Sequence, residues 1–284
     1  MDLTIVAGDS GRSGTKIVSS KGKEYIPSII GEYRTLKSEK SLDENKDFIL
    51  EYDHTSWFIG NLAAVESEFP IQDSRETKNH IATKLLGILA MYRSVNDGDE
   101  CLYISSEPID DHNDENKATL KRMWIGKQTA ILNGVKKTWN VVRSEVAAEG
   151  AVSIWGLKDV PEILHIIDLG SRKINYAVTV NKSLYDKLSG SLNMGTETVR
   201  HIQPALFVHS VISQISRRWL KQLGNVMLIG GLAEQLAPEF EKYFQGVFVH
   251  PEPLYANAIG MYELGKKLAE RSPKNNAQIF VDQR

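Results

Sequence analysis

The sequence predicts an α/β protein made of two similar halves, and three observations carry that expectation. An apolar strand ending in an aspartate, a glycine-bearing turn and a second strand occur at residues 3 to 18. The same arrangement returns, in degenerate form, at residues 163 to 178. Around these repeats apolar residues recur at helical spacing, as in Ile81, Leu85, Ile88, Leu89 and Tyr92. A chain of 284 residues is long enough for one large domain or two modest ones, with a core that needs no staples.

Taken in order, Leu3 to Ala7 is a short strand that runs into Gly8-Asp9-Ser10-Gly11-Arg12-Ser13-Gly14. A second strand, Thr15 to Ser20, and a third, Glu24 to Pro27, follow it. Residues 31 to 47 are polar without periodicity and read as a loop or a loosely built small subdomain. Phe48 to Tyr52 and Ser56 to Ile59 form a hairpin, and Asn79 to Tyr92 a helix. Leu102 to Ser105 is a buried strand, and Glu115 to Met123 a polar helix or its approach. Ile131 to Val142 turns back at Asn133-Gly134, the pair favoured in tight hairpins.

Near Glu145 a helix is expected to begin, carrying Ala147, Ala148, Ala151 and Ile154 to Trp155. Gly156 to Glu162, punctuated by Pro161, connects it to the second half. There Ile163 to Asp168 is a strand, Gly170-Ser171-Arg172-Lys173 a turn, and Ile174 to Val178 the returning strand. Helical patterning covers Thr198 to Leu223, and Val226 to Ile229 is a last buried strand. It leads through Gly230-Gly231 into a helix at Ala233 to Phe244. The final helix, Ala256 to Arg271, precedes a polar tail, residues 272 to 284, expected to be mobile.

Composition narrows the function. With 42% hydrophobic and 25% charged residues the chain is an ordinary globular protein. A formal charge of −2 offers no global attraction to nucleic acid or to anionic membranes, so neither is expected as a direct partner. Cys101 stands alone in an apolar stretch, which excludes an internal disulfide and suits a reducing compartment. No basic leader opens the chain, and no apolar run approaches the roughly 20 residues of a membrane span. A cytoplasmic location is expected. The seven histidines show no ligand spacing, and His112, in an acidic stretch, reads as part of a solvated loop. Trp219, beside Arg217 and Arg218, could stack on a base but reads more simply as a packing residue.

The chemistry lies at the turns. A carboxylate at the carboxyl end of a buried strand projects into the crevice where α/β sheets bind ligands. Asp9 and Asp168 hold that position in their respective halves. Facing each other, they could hold hydrated Mg²⁺ and orient an attacking water, although either alone could simply cap a turn. The glycines beside Asp9 would let backbone N–H groups approach phosphate, and Lys16 would add a point charge. The P-loop pattern fails here, because Thr15 precedes Lys16 and a strand, not a helix, follows. Gly230-Gly231 could lie against a base or ribose. Glu145 and Glu149 could complement a helix start, or one of them could position water.

This ordered set of turns resembles the actin, Hsp70 and sugar-kinase superfamily, and within it the ParM/StbA-type plasmid-segregation actins. Val6 to Lys16 resembles the first phosphate loop, Tyr25-Ile26-Pro27-Ser28 a short family segment, and Trp57 to Ala63 an aromatic-Val-Gly-x-Leu-Ala motif. Lys84-Leu85-Leu86 matches the next family helix, and Val142 to Gly150 the first connecting segment. Ile166 to Gly170 is similar to the second phosphate loop, Met227 to Leu232 to the adenosine motif, and Tyr255 to Gly260 to the second connecting segment. Departures stand at Ser171, Arg172, Lys173 and Asn175, where the family has Gly, two Thr and an Asp, and at Ser106-Glu107-Pro108. Only about 60 residues separate Asp168 from Gly230, too few for the family's inserted subdomain IIB, which resembles the AlfA-type layout.

The resemblance implies two ribonuclease-H-like domains flanking a nucleotide cleft, the second shortened. Residues 1–154 and 256–271 would form domain I, with 31–75 as its small subdomain IB, and 155–255 domain II. It implies ATP, with GTP left open, and Mg²⁺ as ligands. Asp9, Ser10, Gly11, Ser13, Thr15, Lys16, Gly170, Ser171, Gly230 and Gly231 would hold the nucleotide. Asp9 and Asp168 would lie near the metal, through water, with Asp168 and Glu145 catalytic. The implied function is a nucleotide-dependent filament that positions plasmid DNA through a DNA-binding adaptor. The alternatives are a small-molecule kinase of the same superfamily and a weakly hydrolysing structural protein.

Overall fold

In the computed structural model, residues 3–36, 43–72, 78–197, 203–219 and 224–270 are described. The predicted tail at 272 to 284 and the ends of the helical stretch at 198 to 223 lie outside them. The first half opens with three antiparallel strands, β1 (Thr4–Ser10), β2 (Gly14–Ser19) and β3 (Gly22–Pro27). A peripheral lobe follows, with β4 (Ile29–Glu32), β5 (Asp47–Tyr52), β6 (Thr55–Gly60), α1 (Asn61–Glu66) and β7 (Ile71–Gln72). Then come α2 (Ile81–Ser94), β8 (Glu100–Glu107), α3 (Asp114–Trp124), β9 (Gly126–Leu132) and β10 (Val135–Ala148). The β9–β10 turn has φ of +49° at Asn133 and +83° at Gly134, the paired left-handed geometry that Asn-Gly supplies.

The second half holds β11 (Ile163–Leu169), β12 (Ile174–Val180), β13 (Ser183–Leu184), β14 (Gly190–Leu192) and α4 (Pro204–Ile215). It closes with β15 (Val226–Ile229), α5 (Ala233–Phe240), β16 (Val247–Val249) and α6 (Ala256–Glu270). The two sheets repeat one plan. The first begins β3-β2-β1-β8-β10, with β1, β8 and β10 parallel, and continues through β9, β5, β6 and β4 to β7. The second runs β13-β12-β11-β15-β16, with β11, β15 and β16 parallel and β14 added to β12. The registers agree too: Asp9 pairs across its hairpin with Lys16, and Asp168 with Asn175.

Period-2 alternation decides which way each aspartate faces. On β11, Ile167 and Leu169 pack with Phe207, Val211 and Phe240 of α4 and α5. Leu164 and Ile166 pack the opposite way, against Ala151, Ile154 and Ala256. Asp168 shares that second face, which turns toward the other sheet. On β1, Val6 joins the core under α2, with Leu85, Leu89 and Trp124, whereas Ala7 packs with Ala258 and Met261 of α6. Asp9 shares the α6 side. Each aspartate is thereby aimed at the junction.

The expected helix from Glu145 to Trp155 does not form. Residues 145 to 148 complete the long strand β10, which pairs Glu145 with Ile104 and Ala148 with Glu107. Gly150, at φ +77°, breaks the chain before a short 3₁₀ segment, Ala151–Gly156. The spacing of Ala147, Ala148, Ala151 and Ile154 imitated one helical face, but Ala148, Ala151 and Ile154 pack with Leu164 and Ile166, while Ala147, the opposite way on the strand, packs with Ala7 and Ala258. Residues 109–111 form another 3₁₀ turn, and His112 docks on the Val146 carbonyl (3.0 Å) instead of lying in a solvated loop.

Helix α6 crosses this junction at close range. A Cβ on Gly260 would stand 2.0 Å from the Val152 carbonyl oxygen, and one on Gly265 2.6 Å from Ile5. Gly260→Ala is therefore expected to lower the melting temperature by roughly 2–10 °C, the range for forced overpacking in a protein this size. Gly224→Ala, where an added methyl meets nothing within 4 Å, is the control. Equal melting temperatures for the two variants, measured by circular dichroism, would contradict the packing described.

Candidate functional site

The facing strand ends enclose a cleft of about 580 Å³ lined by Asp9, Ser10, Gly11, Ser13 and Lys16 from one sheet and Asp168, Gly170 and Ser171 from the other. Gly230 and Gly231 form a third side. In the first turn Gly11 N donates to Asp9 O (3.1 Å) and Gly14 O (3.3 Å), and the Lys16 ammonium lies over Gly11. The second turn is strapped by residues 196 and 197: Thr196 N donates to Gly170 O (3.0 Å) and Glu197 N to Ser171 O (2.9 Å). At the third, Gly230 adopts φ +98° and a Cβ there would stand 2.5 Å from the Leu169 carbonyl oxygen. Only glycine permits that approach of β15 to β11.

Two of the predicted residues lie elsewhere. Thr15 is fully buried with its hydroxyl 3.1 Å from Ser28 Oγ, because strand alternation turns it away from the face that carries Lys16. Glu145 is held by Lys121 of α3 (2.6 Å) and Arg143 (2.9 Å), outside the cleft lining. Glu149, four residues on, lines the cleft. On a helix the two acids would be neighbours, but along an extended chain four residues cover about 13 Å.

The aspartates stand in a shared polar network. Asn257 Nδ2 of α6 donates to Asp168 Oδ2 (2.9 Å), and its Oδ1 accepts from Gly150 N (2.9 Å). Asn175 Nδ2 donates to Glu149 Oε2 (2.9 Å). Ser106 Oγ lies 3.0 Å from Asp9 Oδ1 and 3.4 Å from Glu149 Oε1, so its one proton serves either. Lys78 Nζ donates to Ser106 Oγ (3.0 Å) and to Glu149, and lies 3.8 Å from Asp9 Oδ1. Sequence reasoning missed Lys78 altogether and took Ser106, Asn175 and Asn257 only as motif positions. Nothing local marks Lys78, since its role depends on two acids, Asp9 and Glu149, that are remote in the chain.

Burial, aided by Glu149 and Asp9, pushes Asp168 up to about 7 against the opposing hydrogen bond from Asn257 and the charge of Lys16. Burial and Glu149 likewise push Glu107 up to about 7, with Lys78 opposing. Burial works against the Lys78 charge, yet Glu149 and Asp9 outweigh it and raise that group above the ordinary lysine range. Among the described residues, Arg12, Lys16, Lys78, Arg172 and Lys173 bring five cations to the lining against four acids, Asp9, Glu149, Asp168 and Glu197. A chain of overall charge −2 thus concentrates positive charge in its cleft. Arg12 Nε is buried there without an acceptor among the described residues, a donor suited to an anionic group.

The donor set also fits a hydrated cation. Among the described residues no three His, Cys, Asp or Glu side chains form a closed metal cage. Magnesium characteristically keeps its waters and takes one or two carboxylates plus ligand phosphates, which Asp9 and Asp168 can provide.

Two sheets of one plan, clasping a cleft with an aspartate from each, define an α/β protein of the actin-like fold. A family model, the N-terminal domain of actin-like proteins, matches residues 7–151, just over half of the sequence, and the chain belongs to that family. No curated protein matches in sequence. Among solved structures, the apo ParM protein of pSK41 aligns with a TM-score of 0.77 at 15% identity, over 95% of this chain and 100% of its own. An AlfA filament bound to AMPPNP aligns at 0.72 and 19% identity, over 95% and 98%. A 15-stranded ParM filament from Clostridium botulinum aligns at 0.75 and 16%, over 94% and 100%. At these identities the likeness speaks for the fold.

The raised Asp168 predicts a pH dependence. Between about 4 and about 7 the folded chain holds a proton on Asp168 that the unfolded chain has lost, so this group's contribution to stability falls as pH rises through that window. Asp168→Asn, which keeps an acceptor for Asn257, is expected to stabilise the metal-free chain at pH 8 by on the order of 2–4 kcal/mol, and not at pH 4. Denaturant titrations at the two pH values check it; a pH-independent difference would sink the assignment.

Proposed function

We propose that this chain is a filament-forming ATPase that binds a nucleoside triphosphate with Mg²⁺ between its two sheets and positions plasmid DNA through a DNA-binding adaptor. The carrying observation is the convergence of Asp9, Asp168 and Glu149 on one cation-rich cleft. The AMPPNP-bound AlfA filament, alike in fold, supports the ligand class and the assembly. The short second half, with β12 to β15 and α4 between Asp168 and Gly230 among the described residues, supports the AlfA-type layout.

In this reading the turns at Gly11 and Gly170, whose own glycine N–H groups are spent in closing the turns, lie against phosphate, and Lys16 and Arg12 add charge. Gly230 and Gly231 give the backbone room to lie along the nucleoside. A bound Mg²⁺ would neutralise phosphate charge, with Asp9 and Asp168 holding its waters. Glu149 takes the water-positioning role, and Glu145 ties α3 to β10. Thr15 supports the first turn from behind through Ser28. Closing the cleft would align a head-to-tail surface, an open contact that propagates. A weakly hydrolysing variant of this reading draws on the basic second turn, where Lys173 is bound to Asp111 (2.7 Å).

Sedimentation is the test. The chain is expected to pellet with Mg²⁺ and ATP, to stay soluble without nucleotide, and to stay soluble with nucleotide as Asp168→Ala. Glu149→Gln is expected to bind nucleotide yet lose roughly 10²–10³ in phosphate release, the scale of one lost catalytic contact. Glu145→Gln should stay within about threefold of the parent, since surface ion pairs contribute little. Substituting GTP for ATP measures base preference. Soluble protein under every condition would end the filament reading, and phosphorylation of a small molecule would favour a kinase.

A further inference from the structure

Lys78 has a position that none of the roles above requires. It stands just ahead of α2, whose N-cap is His80, and reaches inward to the cleft. Its side chain is 14% exposed, comparable with Asp9 at 10% and Glu149 at 13%. Its ammonium meets Glu149 and Ser106 and lies 3.8 Å from Asp9. Two of the three acids that converge on the cleft thus already share a cation, and it is part of the chain.

Gathering acids in a buried place is unfavourable unless a positive charge accompanies them. A hydrated dication approaching Asp9 would have to take the place of the ammonium or face its repulsion at short range. We propose that Lys78 is a tethered counter-cation of the cleft, which holds Asp9 and Glu149 together in the ligand-free chain and competes with divalent metal for Asp9. This rests on the reading of the cleft as a metal–nucleotide site and adds a device that sets its metal requirement. The side chain is long, flexible and strongly hydrated when released, which suits reversible withdrawal better than an arginine fork would. Free divalent cation would bind weakly. Metal accompanied by phosphate would displace the ammonium, because the ligand brings its own negative charge.

The test uses the full chain without nucleotide, titrated with Mn²⁺ and read by the electron paramagnetic resonance of free metal and by thermal shift. Lys78→Met is expected to bind Mn²⁺ at least about tenfold more tightly than the parent, and to gain more in melting temperature from it. Lys78→Arg should retain the weak binding of the parent. Adding Asp9→Asn to Lys78→Met should abolish the gain. If Lys78→Met proves too unstable to purify alone, Mn²⁺ is expected to restore its fold, and Lys78→Gln is read in the same way. Unchanged or weaker Mn²⁺ affinity in a folded Lys78→Met, or no response of either variant to Mn²⁺, overturns the proposal. Nucleotide affinity of the parent is measured separately. A parent that binds no nucleotide while Lys78→Met gains metal would fail the proposed function and leave this inference standing.

Discussion

The structure depends on one electrostatic constraint: acids from two separate sheets are buried at a common junction. Asp9 and Asp168 are each under a tenth exposed, and Glu149 joins them from beyond the end of β10. Such a group is tolerable only if every carboxylate finds donors. Those donors come from all around the junction. Asn257 is supplied by the last helix, Asn175 by the second sheet, and Ser106 by the end of β8. Lys78 is supplied by the approach to α2. The polar network is therefore also a clasp between the two sheets.

That double use ties ligand chemistry to domain position. Asn175 bonds Glu149 with one end, while its Oδ1 accepts from Ile109 N and Ser191 Oγ. Asn257 joins Asp168 to Gly150, where β10 gives way to the 3₁₀ crossing. A cation that recruits Asp168 or Glu149 must rearrange bonds that hold one half against the other, whereas the partners of Asp9, Ser106 and Lys78, lie within its own half. At the rims, Lys173 with Asp111 and Lys23 with Glu252 add ion pairs that are partly open to water and correspondingly weak. The junction is thus stiff at the glycine-packed α6 crossing and adjustable at its polar mouth.

The sequence was most legible where period and turn chemistry agree. The hairpins at residues 3 to 18 and 163 to 178, the Asn133-Gly134 turn and helix α2 all combine alternation or helical spacing with suitable turn or cap residues. Pattern failed where a strand end and a 3₁₀ segment follow each other with small apolar residues at helical spacing. Ala147 to Ile154 imitated a helix, and that error placed Glu145 beside Glu149 when the strand separates them. Thr15 was misplaced for a related reason, since a motif was carried over whole and the strand's alternation sets Thr15 and Lys16 on opposite faces. The short strands β13, β14 and β16 carry too few residues to show a period. Lys78 has no local signature, because what makes it notable is convergence across the fold.

The shortened second half raises the question of how its turn stays ordered with so little chain above it. The bracing comes from within. The backbone N–H groups of Thr196 and Glu197 donate to the Gly170 and Ser171 carbonyls, and a Cβ on Gly195 would stand 2.4 Å from the Ser171 carbonyl oxygen. Lys173 is anchored across the junction to Asp111, so the first half also helps to shape this turn. That part of the turn's support is present only while the two sheets stay together. The order of the turn at Gly170 to Lys173 is thereby coupled, through that one ion pair, to the approach of the two sheets.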